Sequence, residues 1–516
     1  MEAEKLKLVK PQQIRVRIAP SPTGPFHVGT ARTALLNYLF AKNQKGSFIL
    51  RIEDTDQERS QKKWEEDIIN NMRWLGITWD EGPNIGGDYG PYRQSQRKEF
   101  YRKYIQELLD DNCAYHCFCT MEELEAQKQY QASIGEYPHY SGECSHLEAQ
   151  EVKKRLANKE SSVIRLRVPI KEIIFRDLIR GEIRFDSRYF GDFIIAKDLD
   201  HPLYNFAVVI DDFMMKISHI IRGTDHISNT PKQILIQEAF QFPRIKYAHL
   251  PLVLGPDRQK LSKREAVVAI SDYKKDGYLP QAIVNFSVLL GWNAGEDREM
   301  YSMPEIIEKF SLEKVQKAGA IFDIQRLNWM NGFYIRQEAL TSLTYLCIPF
   351  LIKDGLIEPT KKKLNQEKKG TNGQNYLIKT TQEEISISRL ESIVSLYHER
   401  LKKLSEISEL IDFFFKEIDF ERELLMWKEQ TEKDVKNSLK CSRRILTKIR
   451  SDLWQEDKIR DVLLEELKSW DDKGELLWPL RIALTGKKNS AGPFEIAAVL
   501  GKQKTLERLT LAIKKI

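Results

Sequence analysis

The sequence contains no apolar run of roughly 18 residues, the length a bilayer-spanning helix needs, so nothing in it supports a membrane-spanning helix. Its first ten residues, Met1 to Lys10, alternate charge with single apolar residues and lack the apolar stretch of a signal peptide. Neither export nor a membrane partner is expected, and the expected location is the cytoplasm. Cysteine is scarce, six in 516 residues. Cys113, Cys117, Cys119 and Cys144 cluster while Cys347 and Cys441 stand apart, a distribution that favours a metal over the disulfide framework of a small secreted domain. Charge of one sign is not in large excess: 81 Lys and Arg face 75 Asp and Glu, a net +6 that permits a nucleic-acid partner without demanding one. Internal repeats and extended low-complexity segments are also lacking.

What is present is core material, 41% hydrophobic residues, in a chain long enough for roughly three to four domains. Ile14, Val16 and Ile18 alternate as in a half-buried strand, and a Pro/Gly/Ser/Thr turn leads to helical spacing over 31–42 with Leu35, Leu36, Leu39 and Phe40 on it. Phe48 to Ile52 reads as a second strand, which makes a βαβ unit with parallel strands and a right-handed crossover. Two amphipathic helices follow, one carrying Trp64, Ile68 and Met72, the other Tyr101, Ile105 and Leu108. Short β-like runs such as Val163 to Val168 mark 111–199 as an insertion, after which strands are expected at Tyr204 to Ile210 and Ile217 to Arg222. Thr230-Pro231 reads as a capping residue and first helical proline. Past about 325 the pattern is amphipathic and helical, broken by an exposed polar loop at Lys361 to Gly373.

Two segments carry phosphate chemistry. Pro20-Ser21-Pro22-Thr23-Gly24-Pro25-Phe26-His27-Val28-Gly29-Thr30 leaves a strand and enters a helix, so backbone N–H groups and the helix dipole can face phosphate. Gly29 allows close approach, and His27 can donate to a phosphate oxygen. Lys260-Leu261-Ser262-Lys263-Arg264 places three cations on a loop, able to neutralise charge as pyrophosphate leaves ATP. Taken alone, the first reads as readily as an ordinary turn and the second more readily as a solvated basic loop; together they describe an ATP site. Cys117-Phe118-Cys119 and, 24 residues on, Cys144-Ser145-His146 offer three thiolates and an imidazole for tetrahedral Zn²⁺.

At these residues the chain resembles the class I aminoacyl-tRNA synthetases. His27-Val28-Gly29-Thr30 is similar to their first signature with the last histidine replaced, and Lys260 to Arg264 to their second. Arg17 to Gly24, Arg51-Ile52-Glu53-Asp54-Thr55-Asp56, Gly90-Pro91-Tyr92-Arg93-Gln94-Ser95, Trp329-Met330-Asn331-Gly332 and Pro479 to Gly486 resemble the bacterial glutamyl-tRNA synthetases, and the likeness spans nearly the whole chain.

The resemblance implies an α/β fold, a Rossmann-like doubly wound parallel sheet. It further implies a catalytic nucleotide-binding domain in two halves, 12–110 and 200–255, an inserted acceptor-end domain at 111–199, a stem-contact region at 256–325, and an α-helical anticodon-binding region at 326–516, divided near 425. The implied function is glutamate–tRNA ligation: ATP with Mg²⁺ activates L-glutamate to the adenylate, and the terminal 2′-hydroxyl of tRNA(Glu) takes the glutamyl group. A monomer is expected. Two other readings stay open, a non-discriminating enzyme that also charges tRNA(Gln) and a non-catalytic RNA-binding paralogue.

By residue, the resemblance implies His27, Lys260 and Lys263 as catalytic, with Gly29, Thr30 and Ser262 also at ATP. It places Arg17, Ala19, Ser21, Glu53, Tyr204 and Arg222 around glutamate, Arg222 facing the side chain and Glu53 accepting the α-ammonium. Planar guanidinium forks suit carboxylates, and a site that would leave a buried arginine unpaired rejects glutamine without editing. Val208 stands where some relatives carry asparagine, with Asn205 nearby. Structural zinc on Cys117, Cys119, Cys144 and His146 is implied, Tyr140 being the rival fourth ligand. Arg400 is implied at the anticodon, with Arg443, Arg444 and Lys448 as further candidates.

Overall fold

The turn from the first strand into the first helix sets the frame. In the computed structural model, which describes residues 13–259, 269–360 and 375–516, β1 (Arg15–Ile18) is buried along its length. After it, α1 (Val28–Asn43) crosses to β2 (Ser47–Leu50), which pairs with β1 in parallel, Val16 opposite Phe48. The residues of α1 are buried on most faces, Ala34, Leu36 and Leu39 completely, because the strands lie on one side and helices Pro280–Leu289 and Met303–Lys309 on the other. Burying one such leucine is worth about 2 kcal/mol. Asn37, a polar residue inside this apolar helix, donates to Thr33 O at 2.8 Å and to Ile221 O at 3.0 Å, so its amide ties helix to sheet. Helices α2 (Lys62–Trp74) and α3 (Lys98–Asp110) follow, burying the apolar faces read from the sequence.

The segment read as an insertion runs through β3 (Ala114–Cys117), α4 (Met121–Ser133), α5 (Ala149–Ala157), β4 (Val163–Leu166), the hairpin β5 (Glu172–Asp177) and β6 (Gly181–Asp186), and β7 (Ile194–Ala196). Strands β3, β4 and β7 form an antiparallel sheet. The hairpin goes elsewhere, as the next elements show.

Tyr204 to Ile210, expected as a strand, is helical: α6 spans Tyr204–Met214. A short apolar run fits a buried strand and a buried helix equally well, and here burial on all sides lets the helix hide Phe206 to Ile210. The helix also puts Asp211 and Asp212 at adjacent angular positions inside the protein, where a strand would send them to opposite faces. Beyond it lie β8 (His219–Gly223), α7 (Thr230–Ala239) and β9 (Lys246–Leu250). The sheet order is β6-β5-β9-β8, with β8–β9 and β5–β9 parallel and β6 an antiparallel edge. Ser218, just before β8, donates its N–H to Arg15 O at 2.9 Å, setting β8 beside β1. The hairpin of the inserted segment thus extends the sheet that carries Arg222.

These elements, with Pro280–Ile324, form one compact unit; Lys275–Leu279 and Gln325–Ile516 form another. The second unit is mainly helical, with a small antiparallel sheet of Ile357–Pro359, Tyr376–Ile378 and Glu384–Ile385 that the sequence reading did not include. One apolar cluster runs through it, from Ile335 to Ala512. Asn331 of the Trp329 to Gly332 motif accepts from Leu279 N–H at 2.8 Å and donates to Lys402 O at 2.6 Å, fastening the Lys275–Leu279 segment within the unit. Among the described residues no helix is long and apolar enough to cross a membrane.

Candidate active site

The start of α1 is built around one imidazole. His27 is the N-cap residue, in extended backbone conformation, and its Nδ1 accepts from Thr30 N–H at 3.4 Å. Thr30 Oγ1 lies 3.1 Å from His27 Nε2, so the hydroxyl that replaces a second histidine steadies the first. A Cβ at Gly29 would meet His27 Nδ1 at 3.2 Å, so glycine leaves the ring room at the helix start. The ring lies over the helix start, where backbone amides and the helix dipole favour an anion.

A cavity of about 730 Å³ opens at this helix start, lined by Arg17, Ala19, Ser21, His27, Gly29, Thr30, Glu53, Tyr204 and Arg222. All the sequence-expected glutamate residues and the first-signature residues therefore meet in one place. Lys260, Ser262 and Lys263 lie outside the described residues. Val208 and Asn205 do not line the cavity: Val208 is 1% exposed inside α6, and Asn205 Oδ1 accepts from Gln233 at 3.0 Å.

Two opposite charges in the cavity wall lack full compensation. Arg222 is 5% exposed; its Nε donates to His249 Nε2 at 3.2 Å and its Nη2 to Thr230 Oγ1 at 2.8 Å, while Nη1 is buried without a partner. Burial pulls this guanidinium below its ordinary pKa. Glu53 is 7% exposed and 3.2 Å from Arg51, yet burial holds its carboxyl above the ordinary range because Arg51 is shared with Asp211 and Asp212. Burying a charge without its own counter-ion is expensive, so the cavity lining suits a ligand with an anionic end at Arg222 and a cationic group at Glu53.

Arg17 is different. Asp212 grips its Nε at 3.0 Å and its Nη2 at 3.2 Å, and Arg51 Nη1 donates to the same carboxylate at 2.6 Å. Asp211 similarly holds Arg97 at 2.6 Å, with Gln94 and Tyr101 on its oxygens. Motif residues 51–54 and 90–95 interlock around this network: Ile52 N–H donates to Tyr92 O at 2.9 Å, and Ser95 Oγ donates to Asp54 at 2.6 Å. Asp177, Asp211, Asp212, Thr230 and His249 were not anticipated. Two adjacent aspartates within an apolar run signalled buried ion pairs, but only once that run is placed on a helix. Thr230, read as the N-cap, is the first residue of α7, after Asn229, and its hydroxyl faces Arg222 instead.

In the inserted segment the Sγ atoms of Cys117, Cys119 and Cys144 lie within 4.8 Å of one another, Cys119 and Cys144 at 3.5 Å. Zinc–sulfur bonds of about 2.3 Å in a tetrahedron separate sulfurs by about 3.8 Å, so this spacing fits the ion. His146 does not join the cluster. It sits two residues after Cys144 in the 3₁₀ turn Glu143–His146, and at three residues per turn their side chains diverge by about 120°. Tyr140 Oη lies beside the thiols, 3.4 Å from Cys117 Sγ and 3.5 Å from Cys119 Sγ, with Arg165 stacked 3.9 Å over its ring. In the helical unit Arg400 is exposed, one Nη donating to Ser490 O at 2.8 Å. Arg444 lies 3.4 Å from Glu466, and Arg443 and Lys448 are exposed.

Residues 13–329 match the family described as tRNA synthetases class I (E and Q), catalytic domain, and residues 351–513 match the anticodon binding domain. The chain is 42% identical to the glutamate–tRNA ligase of Carboxydothermus hydrogenoformans over 500 residues, covering 96% of this chain and 99% of that one. To the glutamate–tRNA ligase of Desulforamulus reducens it is 40% identical over 513 residues, covering 97% and 100%. The solved glutamate tRNA ligase of Elizabethkingia meningosepticum, in complex with its amino acid, superposes with a TM-score of 0.82 at 30% identity, covering 98% of this chain and 99% of that one. That of Elizabethkingia anophelis gives 0.81, also at 30% identity, covering 98% and 100%. With its catalytic domain matched, its anticodon domain matched and close relatives along nearly its whole length, the chain belongs to the class I tRNA synthetases of the E and Q group.

Proposed function

We propose that this protein is a glutamate–tRNA ligase, which activates L-glutamate with ATP and passes it to tRNA(Glu). The observation that carries the reading is the pair of incompletely compensated charges, Arg222 and Glu53, in the cavity at the start of α1. Glutamate answers both: its side-chain carboxylate pairs with the guanidinium, and its α-ammonium with Glu53. Glutamine offers no charge to Arg222, and aspartate is one methylene shorter. The full-length relatives named as glutamate–tRNA ligases support the same reading.

In this account the α-carboxylate attacks the α-phosphorus of ATP in line, releasing pyrophosphate, and the tRNA 2′-hydroxyl then attacks the adenylate carbonyl with AMP leaving. No protein nucleophile takes part. His27, the amides of Gly29 and Thr30, and Lys260, Ser262 and Lys263 hold the phosphates and stabilise charge as the P–O bond breaks. Mg²⁺ carried on the ATP phosphates supplies further charge neutralisation. Arg17, Ala19, Ser21 and Tyr204 complete the glutamate pocket, Arg17 being fixed by Asp212. Cys117, Cys119, Cys144 and Tyr140 would hold a structural Zn²⁺, since a four-ligand site leaves no open position for chemistry. Arg400 is proposed as an anticodon contact, and the enzyme as a cytoplasmic monomer organised in the domains set out above.

The deciding experiment is aminoacylation of purified tRNA(Glu) and tRNA(Gln) with labelled glutamate. Charging of tRNA(Glu) is expected. Charging of tRNA(Gln) as well identifies a non-discriminating enzyme, and no charging of either, with no tRNA-dependent pyrophosphate exchange, removes the catalytic reading.

A further inference from the structure

Arg222 owes its position to groups that lie behind it. Among the described residues no carboxylate pairs with it; both of its side-chain hydrogen bonds go to uncharged acceptors, His249 Nε2 at 3.2 Å and Thr230 Oγ1 at 2.8 Å. A buried arginine is normally held by an acid, which fixes the guanidinium and cancels its charge together. Here the two effects are separated.

The separation traces to Asp177. His249 and Asp177 are 0% and 1% exposed, and His249 Nδ1 lies 2.6 Å from Asp177 Oδ2. Asp177 also accepts backbone N–H bonds from Ile179 at 2.9 Å, Arg180 at 2.8 Å and His249 at 3.0 Å. A carboxylate surrounded by donors stays ionised and acts only as an acceptor, so the imidazole proton belongs on Nδ1. Nε2 then carries a lone pair and accepts from Arg222 Nε–H, whereas the other tautomer would set two donors against each other. Asp177 sits at the end of β5, the strand the inserted segment contributes to the sheet, in register with Tyr247 of β9.

We propose that Asp177 and His249 are positioning residues for substrate specificity: Asp177 fixes the His249 tautomer, and neutral His249 orients Arg222 while leaving its charge for the side-chain carboxylate of the amino acid. The proposal rests on glutamate being the substrate. It assigns to His249 an effect on glutamate recognition and none on the phosphate chemistry at His27.

The test is steady-state aminoacylation by the full-length enzyme, with KM for glutamate, ATP and tRNA measured separately, beside the glutamate-over-glutamine preference. His249→Leu, which lacks an acceptor, is expected to raise KM for glutamate about 30-fold or more and to erode the preference, with kcat and the KM for ATP and tRNA within about threefold. His249→Gln, whose amide can both donate to Asp177 and accept from Arg222, should restore KM to within about fivefold of the parent. Asp177→Asn keeps the shape and carries the test if His249→Leu fails to fold; about a tenfold rise in KM for glutamate is expected, because the amide no longer dictates the tautomer. An unchanged glutamate KM in Asp177→Asn, a His249→Gln enzyme as impaired as His249→Leu, or an equal loss for all three substrates overturns the proposal. The parent enzyme's own charging of glutamate is the control that bears on the function reading instead: with glutamate charged, only the variants decide the role of His249.

Discussion

Glu53 shows how one residue trades stability for binding. Its carboxyl holds a proton to higher pH in the folded protein than in the unfolded chain, because burial outweighs the attraction of Arg51 and Arg17. A group whose folded pKa is raised contributes stability while pH is below its unfolded value, and that contribution is lost as pH rises through the folded pKa. Glu53→Gln cannot ionise, so its melting temperature relative to the parent, without glutamate, is expected to rise as pH climbs above the ordinary carboxylate range. The same change should raise KM for glutamate about tenfold or more, since it removes the proposed partner of the α-ammonium. A parent-to-variant gap that does not move with pH contradicts the assignment of an uncompensated Glu53. Arg17, Glu53 and Arg222 could be picked out in the sequence because each stands in or beside a recognisable motif or strand end. Asp212, which holds Arg17 from 195 positions away, and Asp177, which reaches His249 across 72, could not: partners so distant in sequence are joined only by the fold.

Among the elements, those with one clean period were legible. The helices α2 and α3 follow their apolar stripes, and α1 and β2 follow from the βαβ pattern. The helix α6 was misread because its buried, β-branched run has no polar face to reveal a period of 3.6. The cysteine motif was half legible. Spacing pointed to three thiols that the fold brings together, while only the fold shows that Tyr140 Oη lies beside them and that His146 stands outside their cluster. Metal analysis of the purified protein is therefore expected to give about one zinc per chain. His146→Ala should keep it, Cys144→Ser should lose it, and Tyr140→Phe should bind it more weakly in a chelator competition. Loss of zinc in His146→Ala with full retention in Tyr140→Phe would reverse the choice of ligand.

The whole molecule joins an α/β unit holding the cavity to a mainly helical unit whose core is continuous past residue 425. That the hairpin of the inserted segment belongs to the same sheet as Arg222 could not be read from a linear order of segments, because strand neighbours in a sheet are set by tertiary pairing. This α/β unit presents to its cavity a buried guanidinium, Arg222, that no carboxylate pairs with among the described residues. The most direct measurement is kcat/KM for glutamate against glutamine, in the parent and in Arg222→Ala. The parent is expected to prefer glutamate by about a thousandfold or more, and the variant to lose nearly all of that preference. A parent that does not discriminate, or an Arg222→Ala enzyme that still does, would contradict the account.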